Sequence, residues 1–398
     1  MRIRAGWLID GTGGAIRKDV VMHIAHGTIV SVNETIDNDG FSAESTDEEI
    51  MDLSDCTVLP GLIDSHVHMF MSGTADRKIR DEQLDAGFHE IEPGIAAHIG
   101  QLLKFGVVAV RDGGDKNGHT LRYKLERLAA SKAPIRLQVA GRAWHSPNRY
   151  GRLIGRTPEY GSPGIDITEE KTGIDHVKIV NSGLNSLLSF GKQTAPQFSR
   201  EEMKDAVLAA KDRGWGVMVH ANGEIPVRSA VDSGCCSIEH GFFMGEENLK
   251  KMADHQTFWV PTAFTMKSYA EYFEREGSDV PRRNLDHQLE QMAAARKLGV
   301  PMAVGTDSGS LGVHHGISMI EEIRLFLGAG FSIREAVQCA TSNGAKLLGL
   351  KDAGWIGPGA EATFVAVKGA PAGLPESLQE IQSLFIDGCS FKSSVQNQ

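Results

Sequence analysis

The chain has 398 residues, enough for a large core and for two or three domains, or for one barrel with an appendage. Forty-one basic residues against fifty-one acidic ones give a formal charge of −10, so no basic surface advertises nucleic-acid binding. Hydrophobic residues at 41% and charged residues at 23% are those of a folded soluble protein and exclude wholesale disorder. No apolar run reaches the length of a bilayer, and the opening MRIRAGWLIDGTGG meets a Gly/Asp turn too early for a signal peptide. Cys56, Cys235, Cys236, Cys339 and Cys389 form no CxxC pair, so the expectation is reduced thiols in a cytoplasmic protein.

Residues 1–59 read as short strands and turns: RIRAGWLI, VVMHIA and TIVSVNETI, with DGTGG and AHG between them. The acidic stretch 37–50 opens like a calcium loop but lacks its downstream spacing, and is expected as a solvated hairpin loop. From 60 to about 354 short apolar runs alternate with amphipathic stretches, the pattern of repeated βα units. Eight strands are expected, at 62–68, 107–112, 135–141, 176–180, 216–221, 237–241, 257–262 and 302–309. Helices are expected at 199–213, with Ser199 as cap and acids in the first turn, and at 332–348. Eight strands with intervening helices predict an α/β fold of the (β/α)8 TIM-barrel type. Residues 355–398 return to strand-like text and are expected to pair with 1–59 in a small flanking β-sandwich built from both chain ends.

The catalytic face of such a barrel lies where the strands end. The first strand ends in His66-Val67-His68, whose side chains at i and i+2 share one side. The fourth carries Lys178, the fifth ends at His220, the sixth at His240 and the eighth at Asp307. Each alone has a bland explanation: a core histidine with a hydrogen bond, a lysine tied to Asp307, an aspartate ending a strand. Their common position at one rim points instead to a metal site.

The motif PGLIDSHVH, the later lysine, two single histidines on successive strands and GTDSG together resemble the metal-dependent amidohydrolase superfamily, over essentially the whole chain. The pattern is most similar to its binuclear, carbamylated-lysine type, the Xaa-Pro dipeptidase and imidazolonepropionase-like amidohydrolases. LIDGTG…VVMHIAHGTIVSV and WIGPGAEATFVAV match the split β-sandwich of such enzymes, although AEATFVAV departs from the usual ADLVV-like text. The resemblance implies two divalent metal ions, zinc before manganese, iron or cobalt. His66, His68 and Asp307 would hold one, His220 and His240 the other, and Lys178 would bridge them as a CO2-derived carbamate. It further implies hydrolysis of an amide bond by a metal-bridging hydroxide, with Asp307 as the proton-transferring base. Ser308 lacks the strand-to-helix setting of a serine nucleophile.

The loop GRAWHSPNRYGRLIGRTPEYG (141–161) holds several arginines. It is expected to grip a substrate carboxylate through Arg149, Arg152 and Tyr150, with His145 polarising the scissile carbonyl, or else to pair with acidic surface. A small, carboxylate-bearing substrate such as a dipeptide or N-acyl amino acid follows from that expectation. A homo-oligomer and no nucleic-acid or membrane partner complete it. His314 and His315 divide between a solvated loop and substrate contact. Two rivals share the metal ligands: a mononuclear deaminase of a nitrogen heterocycle, and a lactonase or esterase. The deaminase wants a glutamate three residues after the strand-5 histidine, and here Glu224 lies four after His220. A metal-free scaffold would show eroded ligands, and none is missing.

Overall fold

Seven strands from both ends of the chain share one hydrogen-bonded sheet, in the order Cys389–Phe391, Ile381–Ile386, Phe364–Lys368, Ile50–Pro60, Arg2–Leu8, Arg17–Ala25 and Thr28–Glu34. The computed structural model describes residues 1–34, 50–131, 133–274 and 277–391, so the acidic loop expected at 37–50 lies outside the described residues except for Ile50. The two chain ends meet where Phe364–Lys368 runs antiparallel to Ile50–Pro60, from Phe364 opposite Pro60 to Lys368 opposite Cys56. Sequence patterning missed Ile50–Pro60, because only its inner half is buried and the outer half carries polar residues. Ile3, Leu8, Val20, Met22, Val58, Phe364 and Phe385 form the apolar cluster that this sheet encloses. The strands expected as a sandwich thus share one continuous ladder. It runs through Pro60 and Gly61 directly into the next strand, Leu62–Val67.

The middle of the chain is a (β/α)8-barrel-type fold. Leu62–Val67, Val107–Asp112 and Arg136–Val139 pair parallel in one run. Ala143–Trp144, Val177–Val180, Val217–Ala221, Ser237–His240 and Phe258–Val260 pair parallel in a second. The expected third strand, 135–141, is observed as Arg136–Val139 and ends before Gly141 at φ +68°; beyond that turn a separate short strand, Ala143–Trp144, joins the other run. The expected eighth strand is not a strand. Residues 302–309 make single bridges, Met302 to Trp259 and Ser308 to Val67. Discrete bonds continue the seam: Ala303 N to Trp259 O (3.0 Å), Ser65 N to Val304 O (2.9 Å), and Asp307 N to His66 O (2.7 Å). The pleat fails because Asp307 adopts φ +57° and because Gly305 packs with no room for a side chain against Val260 and His66.

The helix Arg200–Asp212 starts as expected: Ser199 Oγ accepts from Glu202 N (3.2 Å) and the Glu202 carboxylate accepts from Ser199 N (2.8 Å). The helix expected over 332–348 is two, Ile333–Ala340 and Ser342–Leu347. Thr341 leaves helical geometry at φ −136°, ψ −90°, and its hydroxyl bonds back to Val337 O at 2.7 Å.

Candidate functional site

His66, His68, Lys178, His220, His240 and Asp307 line one cavity, the first five on or just past strands and Asp307 on the irregular segment 302–309. His66, His68 and Asp307 each offer a ligand atom, all within 4.8 Å of one another, a group that could hold a metal ion. Nε2 of His66 and of His68 lie 3.6 and 3.5 Å from Asp307 Oδ1. The His66 ring stands 5.1 Å from that of His240, which stands 4.7 Å from that of His220.

Each imidazole has one nitrogen tied down and one left over. His66 Nδ1 donates to Glu239 Oε2 (2.8 Å), His68 Nδ1 to Gly114 O (2.9 Å) and His220 Nε2 to Gly183 O (3.1 Å), while His240 Nδ1 bonds Thr262 Oγ1 (2.7 Å). Fixing one nitrogen selects the tautomer and aims the other lone pair, as metal-binding histidines require. Among the described residues, His66 Nε2 and Lys178 Nζ are buried without any hydrogen-bond partner. A cation with this donor set satisfies the first, and the chemistry of an unpartnered amine admits a modified lysine at the second. The residues therefore fit a metal centre of imidazole and carboxylate ligands.

The electrostatics agree. Burial, then the Lys178 charge, lowers His68 to about 4 and His220 to about 3, so both stay neutral. Burial lowers the Lys178 amine to about 8 against the pull of Glu239 and Asp307. Burial raises Asp307 to about 7, opposed by the Ser310 hydroxyl, which donates to Oδ2 at 2.9 Å. His240 at φ +67° and Asp307 at φ +57° both hold left-handed backbone, which most non-glycine residues avoid.

A supporting layer lies beneath, and sequence patterning missed it. Fully buried Glu239 accepts from His66 and from Arg111 Nη2 (2.8 Å), while Arg111 Nε donates to Ser65 O (2.9 Å). Asp64 accepts from Thr306 N (2.9 Å), Thr306 Oγ1 (2.6 Å) and His66 N (3.3 Å), joining the backbones that carry two of the donors. Asp112 accepts from Met69 N and Gly114 N, each at 2.8 Å, and so shapes the loop beside His68. The available signal was a charge inside each of the short apolar strands LID, VVAVRD and SIEH, since a buried charge needs a partner.

The arginine-rich loop is arranged differently from expectation. Tyr150 lines the cavity, but His145, Arg149 and Arg152 do not. His145 is buried against Gly151 and donates Nδ1–H to Ser146 O (3.0 Å), so its ring is spent inside the loop. Arg149 reaches away to Ala195 O (2.8 Å), and Arg156 pairs with Glu170 at 2.5 Å. Asn181, Ser182 and Gly183 lie behind the lining, which is taken over by Leu184, Asn185 and Leu187. His315 is neither solvated nor at the substrate cavity: it is buried, stacks on His98 at 4.2 Å and bonds Ser308 Oγ (3.1 Å) and Met71 O (2.9 Å). Glu224 is exposed at the start of its helix and does not line the cavity. Most of the lining is apolar, with Phe70, Met71, Leu84, Leu153, Ile154 and Phe242 among it. Among the described residues no helix is long and apolar enough to cross a membrane.

The Amidohydrolase family profile matches residues 57–392. The imidazolonepropionase of Idiomarina loihiensis is 25% identical over 390 residues, covering 90% of this chain and 88% of that one. The 5-methylthioadenosine/S-adenosylhomocysteine deaminase of Halobacterium salinarum is 26% identical over 406 residues, covering 92% and 84%. A crystal structure of a Xaa-Pro dipeptidase with methionine bound in its active site superposes with a TM-score of 0.83 at 27% identity, over 98% of this chain and 99% of that one.

Proposed function

Because this chain belongs to the amidohydrolase family, we propose that it is a binuclear metal-dependent hydrolase that cleaves the C–N bond of a dipeptide or N-acyl amino acid. The observation that carries this reading is the buried, unpartnered Lys178 amine among four imidazoles that each keep one nitrogen free. In this reading residues 60–354 form a closed barrel, and 1–59 with 355–398 form the flanking β-structure. His66, His68 and Asp307 would hold one cation, His220 and His240 a second, and Lys178, as its CO2-derived carbamate, would stand between them. Two such cations, zinc first among them, would supply Lewis acidity to a water and to the scissile carbonyl.

The chain's own groups do the rest. Asp307 is the carboxylate placed in the cavity to accept a proton from the attacking water and return it to the leaving nitrogen. The Ser310 and Thr265 hydroxyls, 2.9 and 3.5 Å from Oδ2, keep that carboxylate oriented. Tyr150 is held neutral by burial and presents a hydroxyl to the cavity. Phe70, Leu153, Ile154 and Phe242 exclude water around the reacting bond. The glutamate that the deaminase alternative wants is not in place, since Glu224 is exposed and does not line the cavity.

The test is metal analysis followed by a panel of dipeptides, N-acyl amino acids, lactones and aminated heterocycles. We expect about two equivalents of metal, and amide hydrolysis above the other classes. Metal below about 0.2 equivalents after zinc supplementation would favour a scaffold. Ammonia release from a heterocycle would replace this reading by the deaminase.

A further inference from the structure

The cavity contains one cation that the metal centre does not use. Arg80, on the helix Arg77–Asp85, is half-buried and lines the cavity with Asp307, Ser310 and Tyr269. Its Nη1 donates to Gly309 O (3.0 Å) and Thr74 O (3.3 Å), which ties the guanidinium to the backbone two residues beyond Asp307. Among the described residues its Nε and Nη2 make no hydrogen bond, and no carboxylate lies within ion-pair distance of it. Nearby arginines are committed elsewhere: Arg111 to Glu239, Arg156 to Glu170 and Arg149 to Ala195 O. A half-buried guanidinium with open donors, held still by two carbonyls and facing the same cavity as the candidate metal ligands, is a preformed site for a carboxylate.

We propose that Arg80 anchors the carboxylate of the substrate, and that the substrate is an N-acyl or peptidyl amino acid with a large apolar side chain. The proposal rests on the hydrolase reading of the same cavity. Arg80 takes over the role that sequence patterning gave to Arg149 and Arg152. Leu84, Leu153, Ile154, Leu184 and Phe242 supply the surface that a bulky apolar side chain would cover. Tyr150 and Tyr269, both kept protonated by burial, add neutral hydroxyls that do not repel an anion. Pinning the two loops together is the competing role of Arg80, and it would affect every substrate alike.

Matched pairs separate these roles. Metal-loaded wild type and Arg80→Met are compared on N-acetylphenylalanine and on N-acetylphenethylamine, which lacks only the carboxylate. We expect kcat/KM for the acid to fall by about 100-fold, chiefly through KM, and the neutral amide to change by less than about threefold. Arg80→Lys should recover part of the loss. Equal losses on both substrates would overturn the proposal, as would N-acetylglycine turning over as well as N-acetylphenylalanine. Calorimetric binding of 3-phenylpropanoate and 3-phenylpropan-1-ol gives a readout without turnover. Arg80→Met should weaken the acid by about tenfold or more and leave the alcohol alone; unchanged acid affinity would overturn the anchor. Selective loss of acid binding in a protein that hydrolyses none of the amides would keep the anchor and reject the hydrolase reading.

Discussion

Lys178 sits 1% exposed in the strand Val177–Val180, and its amine has no acceptor within reach. Burial disfavours an ammonium there and outweighs the opposing pull of Glu239 and Asp307, so its pKa falls to about 8. Lys178→Ala should therefore do two separable things. Bound metal should drop from two equivalents toward one or none, and kcat should fall by about 1,000-fold or more. Short carboxylic acids such as propionate should restore about tenfold by occupying the vacated bridge. Metal analysis and turnover with added acid check both, and unaltered turnover removes Lys178 from the mechanism. This residue, like His66, His68, His220, His240 and Asp307, was legible in sequence because each falls within or at the end of a short apolar run. Arg80 was not. It lies in the polar helix RKIRDEQLD, and nothing local says that its guanidinium meets Gly309, far along the chain. The loop arginines misled for the opposite reason: their spacing is visible, but whether a long side chain turns to substrate or to a backbone carbonyl is decided by tertiary contacts.

At the scale of elements, the strands of the βα repeat are visible in sequence because they are buried throughout and read as plain apolar runs. The eighth segment misleads because MAVG reads as a strand while Gly305 and Asp307 bend it. A Cβ on Gly305 would stand 2.4 Å from Val260 Cγ1 and 2.9 Å from the His66 backbone nitrogen. Gly305→Ala should thus displace the first ligand strand, with metal content and activity both falling by about tenfold or more while circular dichroism stays native. The loops above are braced by the His98–His315 stack, with His98 Nδ1 donating to Met69 O (2.9 Å). Burial lowers both histidines, so they are neutral in the folded protein and take up protons on unfolding near the ordinary value of about 6.5. The unfolded state then binds more protons, and stability falls as pH drops below that value. Other buried histidines act with the same sign. His315→Gln should reduce the slope of unfolding free energy against pH, measured in urea between pH 7 and 5, by up to about 1.4 kcal/mol per unit. An unchanged slope would mean that His315 is charged in the native protein.

For the whole molecule, both chain ends serve one sheet. Phe364–Lys368 covers the edge of Ile50–Pro60, and the cluster around Val58, Phe364 and Phe385 closes only when both are present. A chain ended at residue 354 should leave that cluster open and accumulate as insoluble protein, checked by the soluble fraction on expression; a soluble, active product would show the ends to be dispensable. The backbone seam carries a further consequence. Asp307 N bonds His66 O, and His68 N bonds Ser308 O, each at 2.7 Å. Two peptide groups therefore hold in register donors supplied by opposite ends of the barrel's stretch of chain. On the ribosome, the paired histidines emerge long before the aspartate that completes their triangle. The group that could hold a metal ion is accordingly complete only once most of the chain has been made.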